Sequence, residues 1–141
     1  TNFKNYENLR NFYYNNNIEN ELFDFRDNIV EFMNQTNICV TRAGASTLAE
    51  LTFLNIPYLT IPLPIAKDDH QFQNALFYKN MNCCWLLKQN DLKDDVLFDN
   101  LSNIIKDKED YLFKKKNMKK FSYQNTWNNI SQKLISTINE N

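Results

Sequence analysis

The residues best suited to chemistry lie in two stretches, and each stretch directly follows an apolar run. Residues 38–41 are apolar and are followed by Arg42-Ala43-Gly44-Ala45, which contains the only glycine in the chain. Residues 58–61 form a second apolar run, followed by Pro62 and Pro64 and then by a polar cluster: Asp68, Asp69, His70, Gln71 and Asn74. Backbone N–H groups at a helix start, together with the helix dipole, attract anions and other acceptor-rich groups. The two stretches together predict a small-molecule site.

The elements that must position these residues read as alternating strands and helices. Residues 38–41, 58–61 and 83–87 are apolar runs typical of buried parallel strands, and residues 21–25 alternate like a further strand. Between the first two apolar runs, leucines recur at helical spacing. The pattern predicts an α/β fold, a Rossmann-like parallel sheet with helices on both faces. Ligands of such sheets lie outside the carboxyl ends of the strands, so both polar stretches are expected to face one crevice.

Gly44 and Glu50 each allow two interpretations. A glycine at a strand-to-helix turn predicts a positive φ or a close approach of ligand to backbone, although an ordinary turn is equally possible. Glu50 lies three residues after Thr47, so it can close a capping box, which is a purely local role. Alternatively its carboxylate can accept hydrogen bonds from two neighbouring hydroxyl groups of a ligand.

Composition excludes several classes of protein. The chain has 141 residues, is 43% hydrophobic and carries a net charge of −1, which predicts one globular domain and no nucleic-acid partner. Cys39, Cys83 and Cys84 fall in predicted strands, and an odd number of buried cysteines indicates free thiols in a cytoplasmic protein. With a single histidine and no CxxC spacing, neither a metal nor another cofactor is expected. No apolar run is long enough to cross a bilayer.

Three segments together resemble one family. They are RAGASTLAE (residues 42–50), the strand and proline that follow (residues 56–62), and DDHQFQNA (residues 68–75). They look like the carboxyl-terminal half of the MurG family, which belongs to glycosyltransferase family 28 and has the GT-B fold. The resemblance implies that residues 1–141 are part of a donor-nucleotide-binding domain. The amino-terminal acceptor domain and the first part of this domain, with its glycine-rich phosphate loop, are absent from the sequence.

The resemblance also implies roles for residues around the base and at the turn. Phe25 and Arg26 stand where the family packs an aromatic ring and a backbone group against uracil. Gly44, Ala45 and Ser46 would form the turn whose backbone amides approach the donor sugar. Because Phe25 is apolar, it can equally be an ordinary core residue.

The remaining implied roles concern the ribose and the transferred sugar. Glu50 would accept hydrogen bonds from both ribose hydroxyls. His70 and Gln71 would contact the N-acetylglucosamine hydroxyls, and Asn74 would anchor their loop. Asp68 or Asp69 is expected to cap the helix that carries them. His70 can also be a simple surface residue in the first helical turn.

The implied function is a UDP-N-acetylglucosamine-dependent transferase that acts on a lipid-linked muramoyl-pentapeptide in peptidoglycan synthesis. The acceptor would be bound by the missing domain, so no catalytic base is assigned and this chain alone is expected to be inactive. The implied location is the cytoplasmic face of the inner membrane. A lysine cluster at residues 114–116 and 119–120 can contact anionic lipid or form a solvated helix face. The alternative function is a non-catalytic nucleotide-sugar-binding or partner subunit of a split GT-B enzyme.

Overall fold

The computed structural model describes residues 3–65, 69–124 and 127–139. The chain forms two compact units, Thr1–Phe32 and Met33–Asn141. The helices are α1 (Phe3–Asn15), α2 (Ile29–Met33), α3 (Ala45–Phe53), α4 (His70–Asn80), α5 (Asp94–Lys106), α6 (Lys108–Gln124) and α7 (Trp127–Asn139). The strands are β1 (Cys39–Thr41), β2 (Tyr58–Thr60) and β3 (Trp85–Leu86), and a 3₁₀ turn covers Gln89–Asp91.

The first unit joins α1 to residues 21–32, since the Tyr6 hydroxyl of α1 donates to the Leu22 carbonyl (2.8 Å). The guanidinium of Arg26 lies 4.9 Å from the ring centre of Phe23 and 5.2 Å from that of Phe32, and it forms an ion pair with Glu21. The strand predicted over residues 21–25 is wrong, since this stretch has no strand structure. The Phe23 ring packs on Phe32 (5.2 Å between ring centres) and on Arg26, and a strand also requires a neighbour for its backbone hydrogen bonds.

The second unit contains a parallel sheet in the order β1-β2-β3. Cys39 pairs with Tyr58, and Leu59 pairs with Trp85. The ladder continues past the ends of the strands, where the Ile61 amide donates to the Thr41 carbonyl (2.9 Å). The predicted strand–helix–strand unit around α3 is therefore confirmed.

Alternate residues of the sheet are buried on opposite faces. Tyr58 belongs to a cluster of buried residues that includes Leu51 of α3 and Met118 of α6. Its neighbour Leu59 belongs to a second cluster that includes Ile104 of α5. Because successive strand residues point to opposite faces, helices cover the sheet on both sides, as the sequence predicts.

Three helices end on an asparagine in the left-handed conformation. Asn17, Asn55 and Asn82 have φ values of 53°, 59° and 53° and follow α1, α3 and α4. After α3, the Ile56 amide donates to the Leu51 carbonyl and the Asn55 amide donates to the Thr52 carbonyl, the two bonds of a Schellman motif. Glycine commonly takes this position, so a chain with one glycine uses asparagine there instead.

One lysine of the predicted basic cluster is buried. The Lys114 side chain donates to Asp110 Oδ1 (3.1 Å) and lies 4.9 Å from the ring centre of Trp85, whose indole N–H donates to Asp110 Oδ2 (2.7 Å). Lys114 is only 7% exposed, so its placement on an exposed face is wrong. Its partner Asp110 lies one turn earlier on α6 and compensates the buried charge. Lys116, Lys119 and Lys120 are exposed.

All three cysteines are free, as predicted. Burial raises the pKa of the Cys83 thiol to about 11 and, together with the neighbouring Cys83, raises that of Cys84 to about 12. Burial also raises the pKa of Cys39. These thiols behave as small apolar core residues at neutral pH.

Among the residues described, no helix combines the length and the hydropathy that a transmembrane span requires.

Candidate functional site

Three loops follow the carboxyl ends of the strands and meet at one edge of the sheet. They begin at Arg42 after β1, at Ile61 after β2 and at Leu87 after β3. Since the strands are parallel and adjacent, these loops are neighbours. The edge predicted to bind a ligand is therefore present in the second unit.

Gly44 begins α3 without a glycine-specific conformation. Its φ of −66° and ψ of 134° are extended values, so the predicted positive φ is wrong. A Cβ atom added there would meet Thr47 Oγ1 at 3.6 Å, an ordinary contact. Within the described part of the chain, neither backbone conformation nor crowding demands a glycine here. An ordinary turn and the close approach of a ligand are the two interpretations that remain.

The first turn of α3 is open at its amino-terminal end. Gly44 is the N-cap residue and no side chain caps the helix. Thr47 is the third residue within the helix, so the capping box with Glu50 is excluded, because that motif needs the threonine at the N-cap. Ala45 and Ser46 are exposed. The uncapped amides can therefore donate to an external acceptor.

Glu50 is exposed on the second turn of α3. Its side chain makes no hydrogen bond or ion pair with any residue that the structure describes. Its backbone carbonyl accepts from the Leu54 amide (2.9 Å) at the end of the helix. Both carboxylate oxygens are therefore available to a ligand.

Two amide side chains of α4 fix the backbone of the loops at this edge. Asn74 Nδ2 donates to the Ala43 carbonyl (3.1 Å), immediately before Gly44. Gln71 Oε1 accepts from the Leu63 amide (3.0 Å) in the loop after β2. Asn74 and Gln71 thus join α4 to two of the three loops, and the Gln71 side-chain NH₂ can still donate to a ligand.

His70 and Asp69 begin α4. His70 is the first residue of the helix and is exposed. Asp69 is the N-cap residue, with a left-handed φ of 56°, and its side chain makes no capping hydrogen bond, so its predicted capping role is wrong. In the left-handed conformation, its backbone does not have the extended geometry that is usual for a capping residue. Asp68 lies outside the described residues.

Phe25 and Arg26 belong to the first unit. Phe25 is 82% exposed, so the alternative that it is an ordinary core residue is wrong. The Arg26 side chain is engaged by Glu21, Phe23 and Phe32 within its own unit. The base-binding roles implied for Phe25 and Arg26 remain predictions.

Arg42 joins all three loops, a role that the sequence does not reveal. Its Nη1 donates to the Ile61 carbonyl (3.0 Å) and to Gln89 Oε1 (2.6 Å), which lies 47 residues further along the chain. Arg42 itself belongs to the loop after β1. It therefore fixes the loops after β2 and β3 against the segment that leads into Gly44.

A cavity of about 220 Å³ lies between the loops after β2 and β3. It is lined by Pro62, Leu63, Pro64, Asp69, Phe72, Lys88, Gln89 and Asn90. The sequence analysis did not predict the part of the lining that comes from the loop after β3. The signal was available, since Lys88, Gln89 and Asn90 directly follow the third predicted strand as the other polar stretches follow the first two.

Comparison with known proteins gives a consistent result. Residues 1–133 match the family described as glycosyltransferase family 28 C-terminal domain. The chain is 57% identical over all of its 141 residues to a Pelagibacter ubique protein named UDP-N-acetylglucosamine--N-acetylmuramyl-(pentapeptide) pyrophosphoryl-undecaprenol N-acetylglucosamine transferase. A Rickettsia bellii protein of the same name is 39% identical over 69% of the chain. The chain spans 40% and 27% of the length of these two relatives.

A solved structure shares the fold. The crystal structure of Acinetobacter baumannii MurG matches 86% of this chain, and the chain matches 33% of that structure, with a TM-score of 0.64 and 21% sequence identity. The predicted Rossmann-like domain of the GT-B type is therefore confirmed. With a family match that extends over residues 1–133, this chain belongs to glycosyltransferase family 28 and corresponds to its C-terminal domain.

Proposed function

We propose that this chain is the donor-binding part of an N-acetylglucosaminyltransferase that uses UDP-N-acetylglucosamine. The acceptor would be the lipid-linked muramoyl-pentapeptide, which agrees with the names of the Pelagibacter and Rickettsia relatives. A separate part of the enzyme would bind that acceptor and remove the proton from its hydroxyl. The chain described here would bind and orient the donor.

The exposed Glu50 carboxylate carries this proposal. A carboxylate without an intramolecular partner, placed six residues after an uncapped helix start, suits a ligand with two neighbouring hydroxyls. Ribose offers such a pair, and each charged hydrogen bond contributes about 1.5–3 kcal/mol. Glu50 would therefore fix the nucleoside and its orientation.

The turn at Gly44 supports the same function. When the sugar is transferred, negative charge develops on the departing nucleoside diphosphate. The uncapped amides at the start of α3 and the helix dipole favour negative charge at this position. A side chain at residue 44 would occupy the space through which a ligand approaches these amides.

The sugar would be held by α4. His70 and the free amide nitrogen of Gln71 would donate to its hydroxyls, while Asn74 keeps the Ala43 carbonyl in place. Phe25 and Arg26 would contact the uracil. Lys116, Lys119 and Lys120 would give α6 weak attraction for the anionic cytoplasmic face of the membrane.

The first experiment is a calorimetric titration of the chain with UDP-N-acetylglucosamine, with a GDP-linked sugar as the nucleotide control. Glu50→Ala is expected to weaken binding about ten- to a hundred-fold, the loss of one or two charged hydrogen bonds. Glu109→Ala is the matched control, because Glu109 is also exposed on a helix but lies on α6.

Equal weakening by Glu50→Ala and Glu109→Ala would contradict the role of Glu50. Equal affinity for the uridine and guanosine donors would contradict the proposed donor. This chain alone is expected to be inactive. If it binds the donor but a longer form of the protein is inactive too, the chain is instead a non-catalytic subunit of a split enzyme.

A further inference from the structure

The cavity between the loops after β2 and β3 lies beside the residues assigned to the donor sugar, since its lining residues Asp69 and Phe72 flank His70 and Gln71. None of Gly44, Ala45, Ser46 or Glu50 lines it. Its walls combine the Phe72 ring and two prolines with polar groups from Lys88, Gln89 and Asn90. Such a mixture of apolar and a few convergent polar groups is typical of a ligand-binding cavity.

Lys88 carries the positive charge that lines this cavity. The Lys88 ammonium lies 5.3 Å from the ring centre of Phe72, and it forms no ion pair with a residue that the structure describes. A cation over an aromatic face is oriented without being neutralised. Lys88 is therefore positioned at the cavity wall with its charge available.

A second cation lies next to the same wall. Arg42 donates through Nη1 to Gln89 Oε1 and to the Ile61 carbonyl, both of which are neutral acceptors. A guanidinium has five N–H donors, so those of Nη2 and Nε remain. Asp69 is the one acidic residue of the cavity lining, and neither Lys88 nor Arg42 forms an ion pair with it.

We propose that this cavity is a second ligand subsite that accepts an anionic group, a phosphate or a carboxylate, bound by Lys88 with the Phe72 ring and the Asn90 amide beside it. The proposal goes beyond the donor-binding function and does not depend on it. Because Gln89 connects the cavity wall to Arg42, occupation of the subsite would also steady the segment that leads to Gly44.

The test is an NMR titration of the ¹⁵N-labelled chain with inorganic pyrophosphate and, separately, with malonate, at constant ionic strength and in a buffer free of both. We expect the amide signals of Leu63, Lys88, Gln89 and Asn90 to shift for at least one anion. The anion that binds more tightly identifies the group as a phosphate or a carboxylate.

Two lysine variants decide whether the anion binds at the cavity. Lys88→Ala is expected to weaken binding about three- to five-fold, as for an exposed charge pair. Lys79→Ala removes the same charge from an exposed residue in the last turn of α4, the opposite end of the helix from Phe72, and should leave affinity unchanged. An unchanged spectrum of amide resonances shows that each variant is folded.

Three results would overturn the proposal. They are no shift with either anion at millimolar concentration, equal weakening by the two variants, and shifts confined to Ala45 and Ser46 at the start of α3. Glu50→Ala should leave pyrophosphate binding unchanged. Failure at the cavity can therefore be told apart from failure of donor binding.

Discussion

The two ends of α3 are built in opposite ways. At the amino-terminal end, Gly44 has an extended conformation that any residue can adopt, and no side chain caps the helix. At the carboxyl-terminal end, Asn55 has a φ of 59°, a conformation that favours glycine. The chain therefore places its one glycine where folding does not require it. This difference agrees with the proposal that Gly44 serves a ligand, whereas Asn55 serves the fold.

Side-chain contacts show the same contrast. At the carboxyl-terminal end, Thr52 Oγ1 and the Tyr58 hydroxyl share a buried hydrogen bond (3.0 Å), and Ser122 of α6 donates to the Thr52 carbonyl (3.1 Å). At the other end, the side chains of Ala45 and Ser46 are exposed. Polar groups that are satisfied internally hold the structure, and those left available can bind.

The largest expected effect is a loss of donor affinity when a side chain is added at Gly44, at the uncapped amino-terminal end of α3. Gly44→Leu should weaken binding of UDP-N-acetylglucosamine at least about ten-fold, because the side chain would occupy the space next to the uncapped amides. Gly44→Ala should have a smaller effect in the same direction. Calorimetry measures the affinities.

The control for this prediction is stability. Since a Cβ at residue 44 makes only an ordinary contact with Thr47, Gly44→Ala should change the free energy of unfolding by no more than about 1 kcal/mol. A folded Gly44→Leu protein with full affinity would show that no ligand approaches the turn.

Alkaline pH should destabilise the buried core beneath α3. Cys83 and Cys84 belong to the same buried cluster as Leu51, and the folded state holds their protons more tightly than the unfolded chain does. As pH rises above 9.0, the unfolded chain releases these protons first, so the free energy of unfolding falls, by up to about 1.4 kcal/mol per pH unit for each thiol.

Urea denaturation at several pH values above neutral measures this slope. The decline should continue to about pH 11 for Cys83 and about 12 for Cys84, their pKa values in the folded state. Cys84→Ala should be less stable at neutral pH but should show a shallower alkaline decline. An unaltered slope in this variant would mean that other groups cause the loss.

Removing one partner of the buried Thr52–Tyr58 hydrogen bond, at the carboxyl-terminal end of α3, should lower the free energy of unfolding by about 1–2 kcal/mol. In Tyr58→Phe, the Thr52 hydroxyl loses its partner in an environment that water does not reach. The double variant Tyr58→Phe/Thr52→Val should recover part of this loss, because both polar groups are then gone. Denaturant unfolding of the original chain, Tyr58→Phe, Thr52→Val and the double variant gives the coupling energy, and strictly additive effects would contradict the pairing.

The smallest expected effect is a gain in stability. Asn55→Gly should raise the free energy of unfolding by about 0.5–1 kcal/mol, because glycine adopts the left-handed conformation without strain. The change also removes the buried Asn55 Oδ1, which has no hydrogen-bond partner among the described residues. Thermal unfolding measures the gain, and unchanged donor affinity would confirm that this end of α3 is structural. A loss of stability would show that the asparagine side chain itself supports the helix end.

The parts of the fold that sequence predicts well are those that local patterns encode. The strands around Val40 and Leu59, the helix between them and the burial of both sheet faces follow from apolar periodicity. The stretch at residues 21–25 has the same alternation, yet it forms no strand. Alternation records which side chains can be buried together, whereas a strand also depends on a neighbour that the pattern does not specify.

The candidate site divides in the same way. The position of Gly44 and of the polar residues after two strands can be read from the sequence, and so can the resemblance to family 28. The capping box with Thr47 could not be excluded, because it depends on where α3 begins. The burial of Lys114 was missed, because its compensation comes from Asp110 and the Trp85 ring together.

The sequence by itself therefore determined the order of the three strands and of the helices that cover them, the family, and which residues follow each strand. Only the tertiary structure decided that Arg42 joins three loops through Gln89, that Asn74 holds the Ala43 carbonyl, and that Lys88 lines a cavity with Phe72. The reason is physical. Hydropathy patterns arise from neighbours three or four residues apart, whereas these contacts join residues that become neighbours only after parallel strands bring their carboxyl ends to one edge.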